Sequence, residues 1–333
     1  MSSNDCARRS VYLCHCLSRA GYYPRQMMTL LDRALRRLRE MQFNRAARAV
    51  LATPPCRVDP DDGLVIFSMI GTRVLHPYLV AAKSFQSQLG RGRFAILDDG
   101  TLTPADKAAL AYHLGNPPIT TLAAVDTGPC PRGGTWERLL SILDLRRADY
   151  VIQVDSDTVT LGPVPEVAEA IAAGRSFTLR GEASSQILSL AEGAERARAT
   201  RPAGRAHVQT AIECVMDQVA IPGRADLYYV RGCSGFAGFA PAPTGRALAE
   251  AFSMDAERLL GRPYWSEWGS EQVTSNFVVA NEPDPLLLPY DRYINFWNEP
   301  VGGDVAFVHF VGTYRFHRGA YLQAARAAIA ALL

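Results

Sequence analysis

The sequence predicts an α/β protein with a mostly parallel sheet and helices on both faces. Short apolar runs typical of buried strands alternate with longer segments of helical periodicity. Nearly half of the 333 residues (48%) are hydrophobic, which is enough for a substantial core. A helix start follows the second run, with Thr103 as N-cap, Pro104 in the first turn and Asp106 at the third position. Strands that alternate with helices favour parallel pairing through helical crossovers.

The order of the elements supports this fold class. Strands are predicted at residues 64–70, 94–97, 119–125, 150–154 and 176–179, and small residues mark a further strand at 228–239. Helices are predicted up to Leu89, from Pro104, over 136–147, up to Ala173, over 244–260 and at the carboxyl terminus. Residues 181–227 are rich in Arg and Ala and give no clear assignment beyond partial helix.

The first sixty residues are predicted to be a helical appendage to a domain at 61–333. Apolar residues recur at three- and four-residue spacing over 24–51, and a turn-rich junction follows at 59–63. Four arginines share this helix: Arg33, Arg36, Arg37 and Arg39. A basic amphipathic helix could contact a membrane surface or an anionic partner. The alternative, which we favour, is a helix docked on the core with a solvated arginine face.

Composition restricts the classes of partner and compartment. The formal net charge of +2 gives no argument for nucleic acid binding. The seven cysteines are odd in number and scattered, so a reducing cytosol is expected. The amino terminus lacks a signal-length apolar region, and no stretch is long enough to span a bilayer. We therefore expect a cytoplasmic protein; the sequence does not indicate its oligomeric state.

Two aspartates follow a strand that is apolar and β-branched apart from a single Gln. Asp155 and Asp157 are separated by Ser156 and come directly after 150–154. Residues i and i+2 of an extended chain point to the same side, so both carboxylates aim at one place. Open α/β sheets bind ligands at the carboxyl ends of their strands. Converging carboxylates need a cation, and hard oxygen ligands suit Mg²⁺ or Mn²⁺ bound to substrate phosphates.

The same two aspartates also fit two other interpretations, a turn cap and an EF-hand loop. Asp-Ser-Asp could simply cap the following turn. For an arbitrary Asp-x-Asp, such a cap is about as common as a metal site. An EF-hand loop would place a glutamate twelve residues along, and Glu166 lies there. Val159 and Thr160 occupy positions that should carry a ligand and a glycine, and a strand rather than a helix precedes the loop. The strand context therefore favours the metal–phosphate hypothesis.

Residues 64–318 resemble a GT-A-type glycosyltransferase of the retaining group that includes glycogenin and lipopolysaccharide galactosyltransferases. Asp155-Ser156-Asp157 resembles the family's DxD motif, and Ser234-Gly235-Phe236 resembles a small-residue strand on the acceptor side. Glu271-Gln272 resembles a helix-opening acid–Gln pair that faces the sugar. His309 to Arg315 resembles a carboxyl-terminal His-x-x-Gly-x-x-Lys motif, with Arg315 in place of Lys and without the Pro-Trp that usually follows.

The resemblance implies a GT-A (Rossmann-like) fold and a metal-dependent hexosyltransferase. It implies that Asp155, Asp157 and His309 hold Mn²⁺ or Mg²⁺, and that a nucleotide-sugar, expected to be a UDP-sugar, is the donor. Residues 61–180 would form the nucleotide-sugar-binding half and 228–333 the acceptor-binding and closing half. The implied donor-binding residues are Ile70, Gly71, Thr72, Asp98, Asp99, Ser156, Gly312 and Arg315.

The same resemblance suggests catalytic and acceptor-binding residues. In a retaining reaction Gln272 would steady the oxocarbenium-like centre, whereas in an inverting one Glu271 would deprotonate the acceptor hydroxyl. The acceptor would be a carbohydrate or another hydroxyl compound, lined by Ser234 and Gly235. Trp265 and Trp268 could stack on an acceptor sugar, or equally pack in the core.

Two alternative functions remain open from the sequence. Gly71-Thr72-Arg73 with a later Lys83 faintly resembles sugar-1-phosphate nucleotidyltransferases, although the glycine run that should precede it is absent. The second is a non-catalytic nucleotide-sugar- or carbohydrate-binding relative, against which the retained acids and His309 argue.

Overall fold

A central, mostly parallel sheet confirms the predicted α/β fold class. The computed structural model describes residues 30–333, and the side chains of all of these except 30–33 and 313. Its strands are β1 Leu64–Ile70, β2 Arg93–Asp98, β3 Ile119–Thr121, β4 Tyr150–Val154, β5 Thr158–Thr160, β6 Phe177–Arg180, β7 Ile187–Ser189, β8 Tyr228–Val230, β9 Gly232–Phe239, β10 Leu286–Leu287, β11 Tyr293–Asn295 and β12 Phe307–His309.

Helices cover both faces of this sheet. They are α1 Leu30–Ala47, α2 Leu75–Leu89, α3 Pro104–Leu114, α4 Trp136–Leu145, α5 Pro165–Ala172, α6 Leu190–Thr200, α7 Val208–Glu213, α8 Ala247–Leu260, α9 Arg262–Trp265, α10 Ser270–Ala280 and α11 Ala320–Ala331. The predicted start of α3 is confirmed, with a complete capping box between Thr103 and Asp106. Among the described residues, no helix combines the length and the apolar character that crossing a membrane requires.

The strand order of the main sheet creates a binding edge. The seven described strands lie in the order β10-β6-β9-β4-β1-β2-β3. All run parallel except β9, which is antiparallel to both β4 and β6. After β1 the chain continues to β2 on one side, whereas after β4 it continues toward β6 on the other side. The two connections therefore diverge between β1 and β4. Ligands of open α/β sheets bind in the crevice at such a point.

A second, three-stranded sheet closes against this edge. Its order is β11-β12-β5, in which β12 is parallel to β11 and antiparallel to β5. Because β5 begins directly after Asp157, its pairing with β12 brings a segment from near the carboxyl terminus to the end of β4. In this register His309 lies opposite Thr158.

Alternate residues of the central strands belong to two separate hydrophobic cores. Leu64 and Ile66 of β1 belong to the core beneath α2, and Val65 and Phe67 belong to the core beneath α4 and α10. This period-two alternation follows from the pleat, which turns successive side chains to opposite faces. A strand covered on both faces must be apolar throughout, which is why β1 and β4 were recognisable in the sequence.

The amino-terminal segment docks on the domain through its apolar side. Phe43 of α1 is buried and stacks on Tyr321 of α11, with ring centroids 3.8 Å apart. The following loop is fixed by Cys56, whose backbone N–H donates to the carbonyl of His113 at 2.9 Å. The described part of the predicted appendage is therefore packed against the domain; residues 1–29 of that prediction lie outside the described part of the chain.

Two predicted segments differ from the structure. β3 ends at Thr121, because Leu122–Ala124 form a 3-10 turn instead of continuing the strand to residue 125. β3 lies at the sheet edge with its second and third residues exposed, so few contacts favour a longer strand. Residues 181–227, which could not be assigned, form β7, α6 and α7, with β7 paired to β8 as a two-stranded sheet.

Candidate functional site

Two acidic side chains and one imidazole converge at the carboxyl end of β4. Asp155 and Asp157 follow this strand, and His309 is the last residue of β12. One ligand atom from each of the three lies within 4.8 Å of the other two. The predicted group is thus brought together, although its members are separated by about 150 residues in sequence. The sheet β11-β12-β5 is what carries His309 to the aspartates.

The imidazole of His309 is held tightly between neighbouring elements. Its Nε2 lies 3.3 Å from Oδ1 of Asp157. Its ring lies against Gly235 of β9, where any Cβ atom would collide with the ring. Gly235 was predicted to line the acceptor; in the structure its lack of a side chain makes room for His309. This close approach is the reason for a small residue at that point of the strand.

Arg315 completes the same corner. Its Nε donates to the carbonyl of Phe310 at 3.0 Å, and its guanidinium forms an ion pair with Asp157. Gly312, at the turn before it, has φ +43°, a left-handed conformation that favours glycine. Burial would raise the pKa of Asp157, but His309 and Arg315 outweigh it and lower that pKa to about 2. Asp157 is therefore ionised across the physiological range.

Arg138 is a site residue that the sequence analysis missed. Its Nη1 donates to Oδ1 of Asp155 at 2.7 Å, and its Nη2 donates to Glu271 at 3.1 Å. The side chain is buried in the first turn of α4. That helix is amphipathic and carries Glu137 and Asp144 besides Arg138, so no local pattern marked this arginine as buried. Burial raises the pKa of Asp155, an effect that the Arg138 charge offsets only in part.

The two predicted catalytic residues have different surroundings. Glu271 is buried in the first turn of α10 and accepts hydrogen bonds from Arg138 and from the Thr135 hydroxyl at 2.9 Å. Gln272 donates through Nε2 to Oε1 of Gln209 on α7 at 3.3 Å. Glu271 thus joins the acidic group through Arg138, whereas the described contacts of Gln272 lead to α7.

The chain is similar to known proteins in its fold. No protein-family model matches the sequence, and no curated protein matches it either. The solved structure of WbbM, a bifunctional glycosyltransferase, is similar over 84% of this chain at 12% identity with a TM-score of 0.50. This chain spans only 53% of the length of that protein.

The chain has a GT-A fold.

Two further solved structures align with lower scores. Mouse xyloside xylosyltransferase 1 is 13% identical, with 75% of this chain and 98% of that chain covered and a TM-score of 0.42. An active-site mutant of LgtC is 14% identical, with 79% and 95% covered and a TM-score of 0.46. At these identities the likeness concerns the GT-A fold alone.

On this GT-A fold, three of the predicted donor residues lie at the end of β1 and in the turn that follows it. Ile70 accepts a hydrogen bond at its carbonyl from the backbone N–H of Asp99 at 2.9 Å, which joins the ends of β1 and β2. A Cβ atom on Gly71 would collide with Asp99 and Thr101. The Thr72 hydroxyl donates to Asp106 at 2.6 Å. Ile70, Gly71 and Thr72 therefore lie together at the strand ends, beside the β1–β4 crevice.

The two aspartates after β2 differ in exposure. Asp98 is buried, and its carboxylate accepts hydrogen bonds from the N–H of Gly100 at 2.8 Å and from Lys107 at 3.1 Å. Burial would raise the pKa of Asp98, but these donors lower it. Asp99 is exposed. Asp98 holds its own loop through these oxygens, whereas Asp99 faces solvent; the donor contacts predicted for both stay predictions.

The serines of the predicted motifs contribute mainly to the frame of the site. Ser156 accepts at its carbonyl from the Tyr321 hydroxyl at 3.1 Å, which ties α11 to the turn between the two aspartates. Ser234 is buried, and its hydroxyl accepts from Nη2 of Arg138 at 3.3 Å. Ser234 therefore lies against the acidic group, on the wall that β9 gives to the crevice.

The acceptor platform predicted at Trp265 is wrong. Its side chain is 0% exposed, lies edge-on to Trp136 with centroids 6.1 Å apart, and donates through Nε1 to Ser253 at 2.9 Å. A ring enclosed in this way has no free face for a sugar. Trp268, by contrast, is 69% exposed and lies near the His207 ring, 5.7 Å away. Of the two tryptophans, only Trp268 presents a surface to solvent.

Proposed function

We propose that the protein is a metal-dependent glycosyltransferase that moves a sugar from a nucleotide-diphosphate sugar, expected to be a UDP-sugar, to a hydroxyl acceptor. One observation carries this proposal: Asp155, Asp157 and His309 converge at the carboxyl end of β4, with Arg315 beside them. The GT-A fold supports it as the framework on which that group lies. This is the edge at which open α/β sheets bind ligands.

The donor set fits a divalent cation. Two carboxylates and an imidazole suit Mn²⁺, whereas Mg²⁺ would use fewer protein ligands. The imidazole can reach the two carboxylates because Gly235, against which its ring lies, has no side chain. When bound, such an ion neutralises the negative charge that develops on a departing diphosphate. Asp155, Asp157 and His309 are the residues that would hold it.

The remaining charges in the corner would act directly on the donor. Arg315 carries a fixed positive charge next to Asp157, and the backbone amide of Gly312 lies at the preceding turn. Preorganised donors of this kind stabilise charge as it forms, because the protein need not reorganise during the reaction. We assign the diphosphate to these two residues, and the base and ribose to the turn at Gly71, Thr72 and Asp99.

The reaction breaks the bond between the anomeric carbon and the diphosphate oxygen and forms a bond from that carbon to the acceptor oxygen. The acceptor hydroxyl must lose a proton. Glu271 is poorly suited as its base, because its carboxylate is engaged by Arg138 and Thr135. We therefore favour retention, with the proton passing to the departing phosphate oxygen. Glu271 and Arg138 then orient Asp155, and Gln272 lines the acceptor side together with Ser234.

We also propose that α1 lies on an anionic membrane surface. Its inner side packs on α11. Its outer side exposes Leu35, Leu38 and Met41, which that packing does not cover. Exposed arginines, Arg37 and Arg45, flank these apolar side chains. An apolar stripe bordered by basic residues is the pattern of a helix that lies in a lipid interface. An acceptor located at the membrane would then be brought close to the enzyme.

The nucleotidyltransferase alternative is less well supported. Its lysine, Lys83, is 1% exposed, and its ammonium donates to the carbonyl of Pro54 at 2.7 Å. Its arginine, Arg73, extends into solvent toward Glu40. Neither charge is directed at a phosphate site in the crevice. Release of pyrophosphate from a nucleoside triphosphate and a sugar-1-phosphate would favour this alternative instead.

Thermal shift with UDP and Mn²⁺ tests the proposed site. UDP should raise the melting temperature in Mn²⁺ but not in EDTA, because ligand that binds only the folded state stabilises it by mass action. Asp157→Asn should abolish both this shift and sugar transfer. Asp59→Asn, a change of the same kind in an exposed turn, should leave both intact. Equal shifts with and without metal would contradict the metal site, and binding of UDP-sugars without turnover would favour a non-catalytic relative.

A further inference from the structure

Asn295 lies beside the imidazole of His309 in the small sheet. β11 and β12 pair in parallel with Asn295 opposite His309, and Asn295 is buried. Its Oδ1 lies 3.0 Å from Nδ1 of His309. Its Nδ2 donates to two backbone carbonyls at the end of β6, that of Arg180 at 2.7 Å and that of Gly181 at 3.2 Å.

These contacts fix the orientation of the amide. Rotating the amide by half a turn would place Oδ1 against the carbonyl oxygens of Arg180 and Gly181, where only acceptors would face one another. It would also take from both carbonyls the N–H donor that Asn295 gives them in the observed orientation. Oδ1 therefore faces His309. Because an amide oxygen can only accept, Nδ1 of His309 must carry the proton of that hydrogen bond.

We propose that Asn295 is a positioning residue that holds His309 with its proton on Nδ1. The lone pair of Nε2 is then directed toward Asp157, which is the nitrogen a divalent cation would need. Partners of the second ring nitrogen commonly fix the tautomer of metal-binding histidines in this way. The inference rests on the proposed metal site for its consequence, but the tautomer itself is a property of the protein alone.

Cys233 is the competing partner of the same nitrogen. Its Sγ lies 3.2 Å from Nδ1 of His309. A thiol that donated to Nδ1 would require the opposite tautomer, with the proton on Nε2. A sulfur can also accept weakly, whereas the Asn295 oxygen cannot donate. Both neighbours are satisfied only when Nδ1 carries the proton, so the amide decides the tautomer.

Nitrogen NMR of the unaltered protein tests the tautomer directly. Spectra of protein carrying ¹⁵N-histidine, followed to the pH at which His309 is neutral, should show a protonated Nδ1 and an unprotonated Nε2. Loss of these signals in His309→Gln assigns them among the six histidines of the chain. A protonated Nε2 in the neutral ring would overturn the inference. This readout requires neither a metal ion nor turnover.

Mn²⁺ affinity, measured by titration calorimetry, tests the consequence. Asn295→Leu should weaken Mn²⁺ binding by about 10- to 100-fold, as loss of such partners commonly does. Asn295→Asp keeps the acceptor for Nδ1 but loses the amide donors, so a folded Asn295→Asp variant should bind Mn²⁺ more tightly than Asn295→Leu does. Cys233→Ala removes the competing partner and should leave the affinity unchanged.

The outcomes separate the two proposals. Unchanged Mn²⁺ affinity in a folded Asn295→Leu variant, or a loss confined to Cys233→Ala, would overturn the role of Asn295. If the unaltered protein binds no Mn²⁺, the proposed function loses its metal site, while the NMR spectra still decide the tautomer. Because those spectra use the native chain, the inference stays testable even if Asn295→Leu does not fold.

Discussion

Opposite charges alternate across the candidate site. Arg138 pairs with Asp155, and Arg315 pairs with Asp157, so each aspartate already has a guanidinium partner. Partners of this kind are needed because an isolated buried carboxylate would lose several kcal/mol of hydration. One oxygen of Asp155, Oδ2, has no described hydrogen bond. Each aspartate is thus paired within the protein, and Oδ2 of Asp155 remains available to a ligand.

The depressed pKa of Asp157 predicts how stability depends on pH. Its folded-state pKa, about 2, lies below its usual value of 3.8. The stabilisation is therefore complete above pH 3.8 and is lost as the pH falls through about 2, and it amounts to on the order of 2 kcal/mol. Denaturant unfolding between pH 2 and 5 should show this slope. Asp157→Asn should flatten the curve there, and an unchanged slope in that variant would contradict the assignment.

The two tryptophans are predicted to differ in their contribution to stability. Trp265→Ala should lower the free energy of unfolding by about 3–5 kcal/mol, because it empties a fully enclosed volume. Trp268→Ala, its matched control on the surface, should change stability by less than about 0.5 kcal/mol. Urea denaturation measures both. Comparable losses in the two variants would show that exposure does not distinguish their roles.

Some site residues could be predicted from the sequence and others could not. Asp155 and Asp157 were recognisable because their strand gives them a shared direction, and His309 because its motif accompanies them. Arg138 and Asn295 were not, since no sequence motif links either of them to its partner. Whether an arginine is solvated or buried depends on packing, which the local pattern did not reveal for α4.

At the scale of elements, α1 predicts binding to anionic vesicles. Leu38→Glu with Met41→Glu places two negative charges on its exposed apolar stripe and should abolish co-sedimentation with phosphatidylglycerol vesicles. Gln42→Glu with Asn44→Glu adds the same charge to exposed polar positions of this helix and should weaken binding only modestly. Equal retention of both variants on vesicles, or no binding by the unaltered chain, would contradict membrane contact.

The elements that could be predicted are those with apolar character along their whole length. β1 and β4 were predicted with their observed ends, because each is covered on both faces and flanked by turns. β3 was predicted too long, since an edge strand gains little from pairing and its sequence alone cannot show that. The segment 181–227 resisted assignment because its short helices depend on tertiary contacts rather than on strong periodicity.

For the whole molecule, the fold class was predictable but the strand order was not. Alternation of strands and helices gave the parallel sheet, as confirmed here. The insertion of antiparallel β9 between β4 and β6 depends on contacts between residues about 80 positions apart. Likewise, nothing local in the sequence shows that β12 pairs with β5. These long-range pairings place the site, so its complete geometry required the structure.

The pairing of β12 with β5 also has a consequence for biosynthesis. Asp155 and Asp157 emerge from the ribosome about 150 residues before His309, and Tyr321, which ties α11 to Ser156, emerges later still. Domains fold progressively as the chain is made, amino-terminal parts first. The acidic pair is therefore synthesised well before the imidazole that lies beside it in the folded protein. A chain that ended before β12 would lack His309, and the proposed metal site would keep only its two carboxylates.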